Sequence, residues 1–158
     1  MILADRIPNA PGVYQLFIHL PQAVTVQIGK LGIFTFPAGQ YVYTGSAMRG
    51  LQARISRHLR SVKRRHWHID HLLAHAQVTH IRYQMTTEQL ECVWNSEALS
   101  LPNARLVALG FGSSDCRCPS HLVYVGTGLL PQNFHDDAKA GLAATGENLH
   151  PKKVGKEA

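Results

Sequence analysis

The first third of the chain consists of short apolar runs separated by turn residues, the pattern of a β-meander. A nine-residue apolar stretch at 12–20 begins directly after Pro11. Two shorter runs flank Gly29-Lys30-Leu31, which indicates a hairpin, and a further run precedes Gly45-Ser46-Ala47. The predicted strands are 12–20, 25–28, 32–36 and 40–44. The short links between them predict antiparallel pairing.

Apolar residues beyond residue 50 are spaced by three or four positions, which is the spacing of amphipathic helices. The first predicted helix covers 50–63, and a second buries the face from Ile69 to Ala76. After a strand at 78–85, Thr86 and Gln89 have the spacing of a capping box that opens a third helix, reaching Ser100. The inward-facing stripes are Leu51, Ile55, Leu59 and Val62, then Ile69, Leu72, Leu73 and Ala76, then Leu90, Val93, Trp94 and Leu101.

These elements predict an α+β fold, with a small antiparallel or mixed β-sheet flanked by helices. A chain of 158 residues with 45% hydrophobic residues supports a single core. We expect this domain to occupy residues 1–126. Residues 127–158 are rich in Gly, Pro, Lys and His and poor in large apolar residues, which predicts a loosely ordered C-terminal tail.

The sequence also predicts the cellular compartment of the protein. No apolar run reaches the ~20 residues that a membrane span requires, and the N-terminal residues lack the pattern of a secretory signal. The 3 cysteines do not form the even-numbered framework of small secreted domains. We therefore expect a cytoplasmic protein with reduced thiols and no membrane partner.

Positive charge is concentrated in one segment of the chain, whose formal net charge is +6. No Asp or Glu occurs between Asp5 and Asp70, whereas residues 49–65 contain seven basic side chains. A block of one sign attracts polyanions such as the phosphate backbone of nucleic acid; the alternative is a solvated helix face without a partner. The residues expected to bind nucleic acid are Ser46, Arg49, Arg57, Arg60, Lys63, Arg64 and Arg65, with Arg57 and Arg60 pointing outward from the helix.

Four pieces of sequence carry candidate chemistry. In chain order they are Gly12-Val13-Tyr14, Tyr43-Thr44-Gly45-Ser46-Ala47, the pair Arg54 and His58 on one flank of the first helix, and Glu91 on the third helix. Together they resemble the GIY-YIG nuclease superfamily, and the stretches 36–47, 64–70 and 110–122 resemble its small stand-alone Uri-type branch. The resemblance covers residues 11–125. Tyr14 and Tyr43 lie 29 residues apart, further than in typical members, which predicts an inserted hairpin at 21–37.

The resemblance implies a metal-dependent endonuclease that hydrolyses phosphodiester bonds in a single in-line step. It implies that Tyr14 deprotonates the attacking water, that Tyr43 and His58 orient the water or phosphate, and that Arg54 stabilises phosphoryl charge. Glu91 would hold Mg²⁺ or Mn²⁺, since carboxylate oxygens suit hard cations and a guanidinium suits phosphate. We expect DNA rather than RNA as the substrate. Because no separate recognition domain is evident, targeting is expected to come from substrate structure or damage, or from a partner protein.

Each assignment has an alternative. Tyrosines such as Tyr14 and Tyr43 are also common in strands that cover a core edge, and His58 lies near an apolar stripe, where a structural histidine is expected as well. Glu88 and Glu97 are alternatives to Glu91 as the metal ligand. For the whole protein, the alternative is a nucleic-acid-binding module of the same fold without activity.

A cysteine and histidine cluster occurs late in the chain. Cys116-x-Cys118-x-x-His121 has the ligand types of a zinc site, with His66 and His68 as further candidates. The spacing of Cys116 and Cys118 is tighter than in zinc motifs, and no second cysteine pair exists. These features favour a Ser-Asp turn with buried thiols over a zinc site.

Overall fold

Six strands and three helices form the part of the chain that the computed structural model describes, residues 6–61, 63–114 and 116–128. They are β1 Gly12–Leu20, β2 Val24–Ile28, β3 Gly32–Phe36, β4 Gly39–Ala47, α1 Leu51–Leu59, α2 His68–Leu73, β5 Gln77–Met85, α3 Glu91–Leu99 and β6 Leu122–Tyr124. Four strands form an antiparallel sheet in the order β5-β1-β4-β6, and β2 pairs with β3 in a separate hairpin. The α+β prediction and the hairpin inserted at 21–37 are therefore confirmed.

The central strand β1 is covered on both faces, which explains why its sequence is a nearly continuous apolar run. Alternate side chains point to opposite faces of a sheet. Tyr14, Leu16 and Ile18 belong to the larger core cluster, which includes buried residues of α1, α2 and the β2–β3 hairpin. On the other face, Val13 and Phe17 belong to smaller clusters that contain buried residues of α3.

All three helices begin or end at different residues from those predicted, and α2 ends at Leu73 rather than reaching Ala76. Helix α1 ends at Leu59 rather than at 63, because Arg60 is extended and the Lys63 ammonium donates hydrogen bonds to the last carbonyls of the helix. Helix α3 begins at Glu91 rather than after Thr86. The Thr86 hydroxyl accepts the N–H of Glu88, so it closes a local turn instead of capping a helix.

The late start of α3 changes which of its side chains face the core. Trp94 is buried as predicted, but Val93, predicted to face inward, is 52% exposed. Asn95 is buried instead and donates a hydrogen bond to the carbonyl of Ser120. The prediction of Val93 as an inward residue was therefore wrong.

Several predictions fall on residues that the structure does not describe. These are the inward position of Val62 in the first helix and the character of the tail beyond residue 128. Within the described residues, no helix has the length and apolar character needed to cross a membrane.

A buried ion pair fastens α1 to α2. Arg57 donates from both terminal nitrogens to the Asp70 carboxylate, at 3.0 Å each, and Asp70 is fully buried. The backbone N–H groups of His66 and Trp67 also donate to this carboxylate. Burial alone would raise the pKa of Asp70, but these hydrogen bonds lower it to about 2. The expectation that Arg57 points outward was therefore wrong, because its guanidinium faces Asp70.

Asp70→Ala is expected to destabilise the fold by about 3 kcal/mol, because it leaves the Arg57 charge partly buried without its carboxylate. Urea denaturation at neutral pH measures this change. Glu97→Ala is the matched control, because its carboxylate is half-exposed and lies 3.7 Å from Arg82. That variant should lose less than about 1 kcal/mol.

The ion pair between Arg57 and Asp70 also makes the free energy of unfolding depend on pH in the acid range. A carboxyl group whose pKa is lowered in the folded state stabilises the protein above its unfolded pKa, and this contribution is lost as the pH falls. For Asp70 the loss is expected between about pH 4 and pH 2. Equal losses in the Asp70→Ala and Glu97→Ala variants at neutral pH, or an unchanged acid transition in Asp70→Ala, would contradict this role.

Candidate active site

The register between β1 and β4 brings two tyrosines together. Tyr14 lies opposite Gly45 and Leu16 lies opposite Tyr43, so both phenol side chains project from the same face of the sheet. Their ring centroids are 6.4 Å apart. Gly45 leaves room for the Tyr14 ring, since a Cβ atom at this position would lie 2.5 Å from the Tyr14 hydroxyl.

Tyr14 forms a buried hydrogen bond with His58 of α1, with 2.7 Å between the hydroxyl oxygen and Nε2. Burial, followed by the charge of Lys63, lowers the pKa of His58 to about 3, despite the opposing charge of Asp70. Burial also raises the pKa of Tyr14 well above its ordinary value, although the charge of Arg54 opposes the shift. At neutral pH the pair is therefore an imidazole and a phenol, both uncharged.

Arg54 lies one helical turn before His58 and is held at the edge of the same cluster. Its Nη1 donates to the carbonyl of Ser46 over 2.8 Å, and its guanidinium stacks on Trp67 at 4.5 Å from the ring centroid. These two contacts fix the plane of the guanidinium. Trp67 also contacts Arg57 and His58, and sequence reasoning had assigned it no role.

Glu91, the first residue of α3, lies in the same cavity as the two tyrosines and Arg54. Within the described part of the chain, its Oε1 atom is buried and has no hydrogen-bond partner. Burial, with a smaller contribution from the charge of Glu91, raises the pKa of Tyr43 to about 12, despite the opposing charge of Arg54. A buried carboxylate oxygen without a partner is a suitable ligand for a hard divalent cation, so Glu91 fits a magnesium-type ion.

The other two candidate carboxylates do not line this cavity. Glu88 is exposed in the turn before α3, and Glu97 forms an ion pair with Arg82. The cavity has a volume of about 620 Å³. Its lining includes Tyr14, Tyr43, Gly45, Ser46, Arg49, Arg54, His66, Trp67, His68, Glu91, Gly112, Cys116 and His121.

The residues predicted to bind nucleic acid divide into groups. Ser46 and Arg49 line the cavity, whereas Arg60, Lys63 and Arg65 line a neighbouring groove on the other side of His58. Arg57 is paired with Asp70, and Lys63 is bonded to helix carbonyls, so part of their charge serves the fold. Arg64 is exposed, and its carbonyl accepts a hydrogen bond from Arg57.

A second donor set lies against this cavity. The ligand atoms of Cys92, Cys116, Cys118 and His121 all lie within 4.8 Å of one another, so this cluster can hold a metal ion. The further candidates His66 and His68 are not part of it, and Nδ1 of His68 instead accepts the N–H of Gly112. Sequence reasoning found three of the four residues but missed Cys92, whose only signal was its place directly after Glu91.

A sequence model of the family described as "Domain of unknown function DUF123" matches residues 13–142, and the chain belongs to this family. The match covers all the elements that form the cavity. No curated protein and no solved structure matches the chain.

Gly45→Ala is expected to displace the Tyr14 ring and to break its hydrogen bond with His58, because the new methyl group overlaps the phenol. Overpacking of this kind costs about 1–3 kcal/mol, which chemical denaturation measures, and the His58 imidazole resonances in NMR spectra report the lost bond. Gly128→Ala is the control, since no atom of the described residues, apart from its chain neighbours, lies within 4 Å of the added carbon. Unchanged His58 resonances in Gly45→Ala would refute the close packing.

Proposed function

We propose that the protein is a metal-dependent endonuclease of the GIY-YIG type that hydrolyses phosphodiester bonds of nucleic acid. The observation that carries the proposal is the meeting of Tyr14, Tyr43, Arg54 and Glu91 in one cavity. They come from β1, β4, α1 and α3, separated by up to 77 residues of sequence. Their chemistry includes groups that phosphoryl transfer requires: a route for the proton of water, a fixed cation and a metal ligand.

Tyr14 would be the base for the attacking water, in its phenolate form, with its own proton released to solvent. The charges of a bound metal ion and of Arg54 would favour that form, and His58, 2.7 Å from the Tyr14 hydroxyl, would orient the oxygen that takes the proton from water. The oxygen of the water forms a bond to phosphorus as the bond from phosphorus to the 3′-oxygen breaks. The 3′-oxygen leaves as a hydroxyl group after taking a proton from solvent, and the 5′-phosphate remains on the other product.

Negative charge on the transferring phosphoryl group would be balanced from two sides. Arg54 offers the nitrogen atoms that are not bonded to the Ser46 carbonyl, in a plane fixed by Trp67. Glu91 would hold Mg²⁺ or Mn²⁺ through its Oε1 atom, which has no hydrogen-bond partner among the described residues, and such an ion supplies positive charge and lowers the pKa of bound water. Tyr43, beside Tyr14 and with its pKa raised to about 12, stays protonated and can donate a hydrogen bond to a phosphate oxygen.

The proposed substrate is DNA, bound through phosphate contacts. Ser46 and Arg49 line the cavity, and the groove with Arg60 and Arg65 extends the positive surface beyond His58. The described residues form one sheet with its hairpin and helices and no separate recognition domain. We propose that targeting comes from substrate structure or from a partner protein, and that the protein works in the cytoplasm.

The direct test incubates the full chain with labelled single-stranded, duplex, branched and gapped DNA and matched RNA, with Mg²⁺ or Mn²⁺. We expect metal-dependent nicking that leaves 3′-hydroxyl and 5′-phosphate ends. Arg54→Ala and Glu91→Gln should each lower the cleavage rate by about 100-fold or more, since each removes charge stabilisation at the phosphate. Lys30→Ala and Glu97→Gln are the charge-matched controls, because both side chains are exposed and outside the cavity.

Binding is measured on the same substrates to separate affinity from chemistry. Arg54→Ala should keep its affinity within about tenfold, because one phosphate contact among many is lost. Binding to the panel without any cleavage by the wild-type chain would overturn the proposal in favour of an inactive nucleic-acid-binding module.

The low pKa of His58 predicts the shape of the pH profile. The pKa of His58 is lowered to about 3, so its imidazole stays neutral between pH 5 and pH 8 and keeps its bond to Tyr14. We therefore expect no inflection of the cleavage rate near pH 6.5, measured under single-turnover conditions. A fall with an apparent pKa near 6.5 that His58→Gln abolishes would contradict the buried, neutral imidazole.

A further inference from the structure

We propose that Cys92, Cys116, Cys118 and His121 bind one Zn²⁺ ion, which fastens the start of α3 to the loop before β6. The site is distinct from the Glu91 carboxylate, although the two are adjacent in sequence. Three cysteines and one histidine from two distant segments share one small volume. The proposal does not depend on the nuclease activity.

The spacing of the four ligand atoms suits one tetrahedral ion. The sulfur atoms of Cys92 and Cys116 lie 3.9 Å and 3.2 Å from Nε2 of His121, and the sulfur atoms of Cys92 and Cys118 are 2.8 Å apart. Zinc bonds of about 2.3 Å to sulfur and about 2.0 Å to nitrogen separate tetrahedral ligands by roughly 3.5–3.8 Å. Side-chain shifts of about 1 Å or less therefore complete the coordination shell.

The orientation of His121 is the strongest single argument for a metal. Its Nδ1 lies 3.0 Å from the carbonyl oxygen of Thr44. A carbonyl oxygen only accepts hydrogen bonds, so Nδ1 carries the proton and Nε2 presents a lone pair to the cysteines. This partner for the distal nitrogen is the arrangement that holds metal-bound histidines in place. His121 is buried, so the backbone fixes the ring in this orientation.

The ligand types select zinc over other ions and over a disulfide. Three thiolates and an imidazole suit Zn²⁺, whereas Mg²⁺ and Ca²⁺ prefer oxygen ligands. Four protein ligands leave no open position, which is typical of a structural rather than a catalytic zinc. A bond between Cys92 and Cys118 requires about 2.05 Å between the sulfur atoms, and all three cysteines are free thiols.

The ion would also act on the neighbouring cavity. Cys92 directly follows Glu91 at the start of α3, and the His121 ring is bonded to the carbonyl of Thr44, next to Tyr43. A zinc ion at this point ties the backbone of Glu91 to the strand that carries Tyr43. This second role, as a positioning site for Glu91, rests on the proposed function.

The test measures metal in the full chain, purified with Zn²⁺ and reductant and then dialysed. Elemental analysis should find about one zinc per chain, and replacement by Co²⁺ should give the thiolate charge-transfer and intense visible bands of tetrahedral cobalt. Cys118→Ser should lower the zinc content to about a tenth or less and lower the melting temperature. His75→Gln is the control, since His75 is exposed and outside the cluster; it should keep its zinc.

A wild-type chain that binds less than about a tenth of an equivalent of zinc, and shows no cobalt charge-transfer bands, would overturn the site. An intact mass two hydrogens lower under non-reducing conditions, from a bond between Cys92 and Cys118, would overturn it as well. If Cys118→Ser fails to fold, the zinc content and cobalt spectrum of the wild-type chain alone show whether the four residues bind zinc.

Activity assays on the same preparations separate the two proposals. Glu91→Gln should keep its zinc and lose cleavage. A wild-type chain with zinc and without cleavage would overturn the proposed function and support the zinc site. Cleavage by a wild-type chain that cannot bind zinc would support the proposed function and overturn the zinc site.

Discussion

The antiparallel pairing of β1 with β4 is the constraint on which the rest of the structure depends. Its register sets Tyr14 opposite Gly45 and holds Tyr43 on the same face, and a shift of one strand by one residue would leave the two phenols on opposite faces. The other parts of the cavity are arranged around this pair. Helix α1 adds Arg54 to the cavity and His58 as the hydrogen-bond partner of Tyr14, and α3 adds Glu91. The buried pairing of Arg57 with Asp70 then fixes α1 against α2.

Burial gives the cavity its electrostatic character. Tyr14 and His58 are both uncharged, because each has lost the water that would stabilise its charged form. Arg54 keeps its charge at the edge of the cavity through Trp67 and a backbone carbonyl. Two donor sets of different chemistry lie side by side at the start of α3: a Glu91 oxygen without a hydrogen-bond partner among the described residues, and a cluster of sulfur and imidazole ligands. They suit a hard exchangeable ion and a tightly held soft ion respectively.

Much of the fold could be predicted from sequence, because strand alternation and helical spacing are local signals. The strand at 12–20 and the hairpin around Gly29 carry such signals. The first turn of α3 was misassigned because Thr86 and Gln89 match a capping box that the chain uses only as a turn. The roles of Cys92 and Trp67 could not be predicted, because they depend on contacts between residues that are distant in sequence. Cys92 contacts Cys118, 26 residues later, and Trp67 contacts Arg54, 13 residues earlier, and neither separation matches a local sequence pattern.

The central claim is that Glu91 and the tyrosine and arginine side chains surround a single divalent-cation site. Titration of Mn²⁺ into isotope-labelled, zinc-loaded protein tests it directly, because the paramagnetic ion broadens NMR signals of nearby nuclei. The account predicts selective broadening of the Tyr14, Tyr43 and Arg54 side-chain signals that is lost in Glu91→Gln. If Mn²⁺ left the signals of these three residues sharp, or if their broadening persisted unchanged in Glu91→Gln, the single cation site would be contradicted.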